Sequence, residues 1–304
     1  MTAPRLSMAF FALLFASTLC YAAEPEFTRS LTVNGNLTFS VCSTSGSIHV
    51  AGVDGNKVQI DAKLHNSTWH TTGTSGDMKE IVATPPIKQT GNEIKVGDAD
   101  TCGGAKAHNI DIDYEITVPK NSTVEAVTGP GSIKVENIGG FVHAATGSGS
   151  IVAANIGPDS KLATRGGTID ITGAHGDLMA ITGSGNLTVG DSTVTEAKLH
   201  TSSGNITTTN LHGGMRINSG TGNLTIGGLP NADWKLETGS GNIQIHVDPS
   251  AKFLLDVETG SGTIDSSFPA PLSGHITNGV LKGPVNGGGP TVQVYTGSGN
   301  ILFS

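Results

Sequence analysis

The chain has 304 residues and a formal net charge of −8, and only 14% of its side chains are charged. A weakly acidic chain with scattered Lys and Arg lacks the basic stripe of a nucleic-acid-binding protein. Its 43 glycines and 5% aromatic content are typical of disorder, but Ile, Leu and Val recur at fixed intervals, which a disordered chain has no reason to maintain.

The first 23 residues have the organisation of a secretory signal peptide. Arg5 precedes an apolar stretch from Met8 to Ala16, and the small residues Ala22 and Ala23 follow. This stretch is too short to span a bilayer, and a basic start with a small-residue exit is typical of a cleaved signal. The sequence therefore predicts an exported protein with no transmembrane segment, located in the periplasm, on the cell surface or outside the cell.

Residues 24–121 form a less regular, β-rich region. Residues 37–41 and 48–50 match the 18-residue repeat of the later part of the chain, and residues 57–62, 93–96 and 110–118 alternate between apolar and polar side chains, as strands do. Residues 65–79 are polar and predict a loop. Because solenoids need covered ends, we expect this region to be an N-terminal cap.

Two cysteines, Cys42 and Cys102, remain after removal of the signal peptide. Two thiols in an exported chain most simply form one disulfide, with two separate buried thiols as the alternative. A structural zinc site needs about four ligands, which two distant cysteines without clustered histidines do not supply. The Gly-x-Gly turns are not followed by helices, so they are not dinucleotide-binding loops. The sequence thus indicates no metal and no cofactor.

Residues 122–304 are built from repeats of about 18 residues. A typical unit reads G-S-G-N-L-T-V at residues 183–189. The second glycine of successive units falls at Gly131, Gly149, Gly167, Gly185, Gly204, Gly222, Gly241, Gly262 and Gly299. The intervals are 18, 18, 18, 19, 18, 19, 21 and 37 residues. The last interval is about two periods, so we expect one degenerate coil around residues 274–281.

Nearly every repeat also carries an apolar-x-apolar pair before its glycines, so each period predicts two short strands. The glycines permit the positive φ that tight corners need. Such units bury an apolar face only when they stack, with their strands in parallel. The sequence therefore predicts an all-β fold, a parallel β-solenoid that winds right-handed like most parallel crossovers. A three-sided left-handed helix is the alternative, but its six-residue apolar spacing is absent.

Three features together resemble a known family. They are the run STSGSIHVAGVDG at residues 43–55, the run YEITVP at residues 114–119, and the S-G-x-I coils. They resemble the bacterial adhesin-like family of the DUF4097 type, over nearly all of the mature chain. The resemblance implies a β-helical, exported or surface-associated protein. It carries over no catalytic residue, because the family has no established catalytic motif.

Two sets of outward side chains are candidates for function. Lys198, Arg216 and Lys235 lie between the paired apolar residues of successive coils and form a short basic row. This row predicts a contact with an anionic glycan or another envelope component, with an ordinary solvated face as the alternative. Glu237 and Glu258 occupy equivalent positions in consecutive coils, so their Cα atoms are expected about 5 Å apart. Retaining glycosidases use two carboxyl groups separated by about 5–5.5 Å.

The sequence predicts a non-enzymatic, adhesin-like β-solenoid that binds or scaffolds at the bacterial cell envelope. Its expected partner is an envelope polysaccharide or a surface protein. The alternative is a polysaccharide-active β-helix enzyme, a lyase or hydrolase, that uses surface carboxylates. The last unit ends on a strand at residues 300–304, and an open edge there predicts end-to-end self-association.

Overall fold

A computed structural model describes residues 25–66, 75–97, 110–266, 275–277 and 279–304. The predicted signal peptide and Cys102 lie outside these ranges. The described part contains helix α1 (Ser75–Ala83) and the following strands: β1 (Glu26–Thr32), β2 (Thr38–Ser43), β3 (Ile48–Val53), β4 (Lys57–Asn66), β5 (Ile87–Thr90), β6 (Glu93–Val96), β7 (Ile110–Pro119), β8 (Thr123–Thr128), β9 (Ile133–Ile138), β10 (Val142–Thr146), β11 (Ile151–Ile156), β12 (Ser160–Thr164), β13 (Ile169–Thr172), β14 (His175–Thr182), β15 (Leu187–Thr201), β16 (Ile206–Thr221), β17 (Leu224–Leu229), β18 (Trp234–Ser240), β19 (Ile243–Val247), β20 (Phe253–Ser261), β21 (Ile264–Ser266), β22 (His275–Thr277), β23 (Val280–Val285), β24 (Thr291–Ser298) and β25 (Ile301–Phe303).

The strands stack in two ladders, one for each strand of the repeat. The first ladder has the order β5-β6-β2-β8-β10-β12-β14-β15-β16-β18-β24-β20-β23-β22. The second has the order β1-β4-β7-β3-β9-β11-β13-β15-β16-β17-β19-β25-β21. From β6 to β20 and from β7 to β21 all pairings are parallel, so the predicted parallel β-solenoid is confirmed. The hand of its winding stays a prediction.

The inward side chains of both ladders meet in one hydrophobic core. The apolar residues of the predicted pairs are buried there, and the largest is Trp234, whose indole N–H donates to the carbonyl of Gly213 at 2.8 Å. Ser160, the polar exception among the pairs, is also buried. Its hydroxyl donates to the carbonyl of Gly157 at 2.7 Å and accepts the N–H of Val142 at 3.3 Å. A polar group is thus tolerated in the core because both of its hydrogen-bonding roles are satisfied.

A buried hydroxyl joins each coil to the next at the turn of the repeat. It belongs to the residue three positions before the second turn glycine. This hydroxyl donates to the carbonyl of the second turn glycine in the neighbouring coil at 2.7 to 3.2 Å. These donors are Thr128, Thr146, Thr164, Thr182, Thr201, Ser219, Thr238, Thr296 and Thr259. All are buried. In Thr182 the same oxygen also accepts the N–H of Gly185 at 3.1 Å, so one hydroxyl connects the turns of two coils.

The turn glycines are required by the close approach of stacked backbones. A Cβ added at Gly149, Gly167 or Gly185 would lie only 1.8 to 1.9 Å from a carbonyl oxygen of the preceding coil. None of these three has a positive φ, so the expectation that these glycines supply a left-handed corner is wrong there. Positive φ occurs later in the coil, for example at Asn137 (59°) and Asn155 (53°). Asn is among the few non-glycine residues that adopt this conformation readily.

Asparagines at the start of the second strand form a further ladder. The side-chain oxygen of each accepts the backbone N–H of the equivalent residue in the next coil, at 2.8 to 3.0 Å. The order of these residues is Asn186, Asn205, Asn223, Asn242, Asn300 and Thr263. Asn300 therefore lies between two residues that precede it in the sequence.

The C-terminal coil is inserted between two earlier coils. Strand β24 pairs in parallel with β18 on one side and with β20 on the other, and β25 pairs likewise with β19 and β21. The predicted open edge at the last unit is therefore wrong, and the self-association inferred from it loses its basis. The C-terminal strands have partners on both sides because the chain turns back before residue 291.

The expected degenerate coil around residues 274–281 is also wrong. Strands β22 and β23 form an antiparallel pair, and β23 continues antiparallel along β20. The reversal toward β24 follows at Asn286, Gly287 and Gly288, which have φ values of 49°, 94° and 83°. Three successive residues in the left-handed region turn the chain sharply, so this segment leaves the regular winding.

A similar exchange occurs at the N-terminal end. Strand β2 lies between β6 and β8, and β3 lies between β7 and β9, so the coil at residues 38–53 is also inserted. Antiparallel strands β5, β4 and β1 extend the ladders beyond β6 and β7. The predicted loop at 65–79 is wrong at residues 65 and 66, which end β4, and at residues 75–79, which lie in α1. The side chain of Met78 on this helix is buried.

We expect Thr182→Val to destabilise the solenoid by about 1–3 kcal/mol, because it leaves the buried N–H of Gly185 without its acceptor. Thr188→Val is the matched control, since Thr188 is exposed on β15. Urea unfolding of both variants and the wild type measures the difference. Equal midpoints for Thr182→Val and the wild type would contradict a stabilising role for the buried hydroxyl.

We expect deletion of residues 291–304, which removes β24 and β25, to expose the edges of β18 and β20 in the first ladder and of β19 and β21 in the second. Amide hydrogen exchange in β18 and β20 should then accelerate, because unpaired edge amides lose protection. A synthetic peptide of residues 291–304 should restore protection, while a scrambled peptide should not. Unchanged exchange in both strands after the deletion would contradict the inserted position of β24.

Candidate functional site

The outer face of the first ladder carries the predicted basic row. Lys198 on β15, Arg216 on β16 and Lys235 on β18 are in register on adjacent strands. The row continues to Gln293 on β24 and then to Asp256 on β20. Stacking thus brings the three cations together as the sequence predicts, and the inserted coil determines which residues extend the row beyond Lys235.

The three cations of the row all have carboxylate partners. Glu196 pairs with Lys198 at 3.1 Å and with the guanidinium of Arg216, and Lys235 pairs with Glu237 at 2.8 Å. The hydrogen bond from Arg216, with a further contribution from Lys198, holds the pKa of Glu196 below its usual value. Each cation of the row therefore lies beside a carboxylate, and the face does not present an uncompensated positive stripe.

Glu196 was not foreseen as part of this row. The pairing of β15 with β16 shifts register between Thr193 and Glu196, which is the signature of a β-bulge. One interval in the spacing of the turn glycines, from Gly185 to Gly204, is 19 residues instead of 18. That extra residue is the sequence signal that could have located the bulge and the carboxylate beside it.

Three shallow grooves, all open to solvent, meet around Lys235 on this face. The first, of about 290 Å³, includes Met179, Lys198 and Arg216 in its lining. The second, of about 370 Å³, includes Glu196, Asp233 and Thr291. The third, of about 230 Å³, is lined by Lys235, Leu236, Glu237, Asp256, Glu258, Gln293, Val294 and Tyr295. Together they form the contact face, defined as the outward side of the first ladder from β14 to β20.

The expected carboxylate pair is not formed by adjacent coils. Tyr295 on the inserted strand β24 pairs in register with Glu237 on one side and Glu258 on the other. The two glutamates are therefore two strand spacings apart, about 10 Å between Cα atoms, and the expected separation of 5 Å is wrong. The enzyme alternative rested on that close pair and loses its geometric basis.

A second polar cluster lies on the outer face of the second ladder near its N-terminal end. The ring nitrogens of His49 contact Glu115 at 2.6 Å and Glu136 at 3.0 Å, and Lys134 pairs with Glu136 at 2.9 Å. The hydrogen bond from Lys134 is the main cause of a lowered pKa at Glu136, and His49 adds to it. No group of three or more His, Cys, Asp or Glu side chains suited to a metal ion occurs in the described ranges.

The remaining predicted residues lie apart from the contact face or outside the described ranges. Cys42 is buried on β2, and its pairing with Cys102 stays a prediction. His65 contacts Asp113 at 3.1 Å at the N-terminal end. The hydroxyl of Tyr114 is buried there without a hydrogen-bond partner among the described residues, and burial raises its pKa. No described helix has the length and hydropathy needed to cross a membrane.

Comparison with known proteins gives one family and several solved structures. The family model Toastrack DUF4097 matches residues 28–303, whereas no curated protein sequence is significantly similar. A "putative adhesin" from Bacteroides fragilis is 14% identical, with a TM-score of 0.40 and coverage of 92% of this chain and 97% of that one. A "putative adhesin" from Parabacteroides distasonis is 12% identical, with a TM-score of 0.43 and coverage of 93% and 98%. A "putative lipid binding protein" from the same organism is 13% identical, with a TM-score of 0.45 and coverage of 92% and 96%.

We expect Glu196→Gln to lower the free energy of unfolding at neutral pH by up to about 1 kcal/mol, the size typical of exposed ion pairs. The folded pKa of Glu196 lies below the ordinary value of 4.5. Its contribution is therefore complete above that value and is lost as the pH falls through the folded pKa. Urea unfolding of both proteins from pH 7 to pH 3 should show the difference shrinking in acid.

The control for this series is Glu80→Gln, at an exposed position of α1. It should follow the wild type over the whole pH range. A difference between Glu196→Gln and the wild type that grows toward acid would contradict the role given to the Arg216 hydrogen bond.

Proposed function

This chain belongs to the Toastrack DUF4097 family, and we propose that it is a non-enzymatic, exported, adhesin-like solenoid that binds or scaffolds at the bacterial cell envelope. The contact face of the first ladder is the binding surface in this proposal. Its partner is an envelope polysaccharide or a surface protein. The observation that carries the proposal is the meeting of three solvent-open grooves around Lys235 on the outer face of the first ladder.

The arrangement of charges on the contact face supports binding more than catalysis. Lys198, Arg216 and Lys235 hold Glu196 and Glu237 in ion pairs at the surface. Enzyme sites ordinarily bury most of a small substrate in a deep, enclosed cleft, whereas these grooves are shallow and open. A long polymer that crosses several strands is a better match for such a surface than a small molecule.

The stacking of coils also supports a scaffold that keeps its surface in a fixed geometry. The register of the outward side chains is set by buried Thr hydroxyls and by backbone pairing on both sides of each strand. Side chains held on regular strands are positioned more precisely than side chains on loops. Equivalent side chains therefore repeat at the strand spacing of about 4.8 Å along the contact face.

The proposal is tested by pulling down envelope fractions with the purified chain of residues 24–304. We expect the triple variant Lys198→Ala/Arg216→Ala/Lys235→Ala to retain less than about a tenth of the bound polysaccharide or protein, because lost charge-assisted contacts of a few kcal/mol weaken binding at least tenfold. Binding should also weaken as salt is raised, since surface ion pairs are screened.

The matched control removes the same charge elsewhere, at the exposed positions Lys57, Lys88 and Lys252. Lys57→Ala/Lys88→Ala/Lys252→Ala should bind envelope material like the wild type. Absence of binding by the wild type to every envelope fraction would overturn the proposed function. Equal losses in both triple variants would overturn the assignment of the contact face.

A further inference from the structure

The inserted C-terminal coil places one aromatic ring among polar side chains on the contact face. Tyr295 is on β24, in register with Glu237 on β18 and Glu258 on β20. The side chains of Gln293 and Lys235 line the same groove of about 230 Å³. These side chains come together only because β24 lies between β18 and β20, which follow each other along the chain as strands of the first ladder.

Tyr295 is unusual in its row of the solenoid. The equivalent positions on strands β8 to β18 of the ladder are Val127, Ala145, Ala163, Ile181, His200, Asn218 and Glu237. Tyr295 is 43% exposed, although burying an aromatic ring is favourable. No packing role in the described structure requires this ring on the outside. An exposed, flat ring in a groove is a surface on which another flat, partly apolar group can stack.

The polar groups around the ring are acceptors and donors of hydrogen bonds. Glu258 makes no ion pair, and Gln293 makes no side-chain hydrogen bond, within the described part of the chain. Glu237 is paired with Lys235 at 2.8 Å, and Asp256 with Lys282 at 2.8 Å. Three carboxylates against two ammonium groups leave this end of the contact face with an excess negative charge. An anionic group would therefore be repelled at the ring, whereas neutral hydroxyls can donate to the carboxylate of Glu258.

We propose that Tyr295 is the stacking platform for a neutral pyranose unit of a polysaccharide. One face of the pyranose ring is made of C–H groups and packs on the tyrosine ring, while its hydroxyls bond to Glu258 and Gln293. An apolar surface with a few convergent polar groups is the usual design of small-ligand subsites. This inference rests on the proposed function and adds to it a subsite and a ligand class. The basic row at Lys198 and Arg216 would then contact acidic units of the same polymer farther along the ladder.

The test uses isothermal titration of residues 24–304 with defined probes. The neutral probes are β-1,4-linked hexasaccharides of glucose, mannose and N-acetylglucosamine, and the anionic probe is hexagalacturonate. We expect at least one neutral probe to bind and Tyr295→Ala to weaken it about tenfold, as loss of an aromatic contact typically does. Tyr295→Phe should keep most of the affinity because it keeps the ring. Glu258→Gln should weaken binding less than Tyr295→Ala does.

Saturation-transfer NMR gives a readout that a merely structural role would not change. Irradiation of aromatic protons should saturate the ring C–H protons of the bound sugar more strongly in the wild type and in Tyr295→Phe than in Tyr295→Ala. Val152→Ala is the control, because Val152 is an exposed apolar residue on β11 of the second ladder, outside the contact face. It should bind the neutral probes like the wild type.

The outcomes separate this inference from the proposed function. Binding of hexagalacturonate alone, or equal binding by Tyr295→Ala and the wild type, would overturn the stacking platform. If envelope polysaccharide is still captured in either case, the proposed function stands without it. If the wild type captures no envelope material and binds no neutral probe, both fail. Capture of a surface protein that survives Tyr295→Ala, with no neutral probe bound, would likewise remove the saccharide subsite.

Discussion

The close stacking of the turns, held by a buried Thr hydroxyl, is the constraint on which the rest of this solenoid depends. A carbonyl of each coil lies so close to the next that no Cβ fits between them, as at Gly185 above Gly167. The hydroxyl of Thr182 uses that proximity to bond both turns at once. This contact fixes the axial spacing and the lateral register together. The hydrophobic core can then be made of short, interchangeable pairs, because the turns rather than the core side chains align the coils.

The same interchangeability explains which parts of the fold could be predicted. Inward and outward positions follow from the period-two pattern within each strand, so Lys198, Arg216 and Lys235 could be placed in one row from the sequence. The order of the coils could not be predicted, since the unit around Gly299 offers the same turn and the same apolar pair to any neighbour. Its position between the units of Gly241 and Gly262 depends on the turn at residues 286–288. A repeat sequence determines the register in which two adjacent coils pair more strongly than it determines which coils are adjacent.

The candidate site contains both features that the sequence predicts and features that it does not predict. Its basic row results from local alternation and was foreseen. Its carboxylate Glu196 results from a bulge, and the groove at Tyr295 results from the inserted coil, so neither could be derived by assuming that sequence neighbours are neighbours in space. The separation of Glu237 from Glu258 has the same cause. The departures from regular winding therefore created the features of the contact face that distinguish it from the other outward rows.

The insertion of the last coil has a consequence for how the protein matures. The coils at residues 234–247 and 253–266 are synthesised before residues 291–303, which form the strands between them in both ladders. The two coils therefore have no strand between them to pair with until residues 291–303 are available. Most of the solenoid can form progressively from its N-terminal side during synthesis, as stacked repeats allow. The coils at residues 234–247 and 253–266 become joined only after residues 291–303 have been made. Closure of this part of the solenoid thus requires synthesis through residue 303.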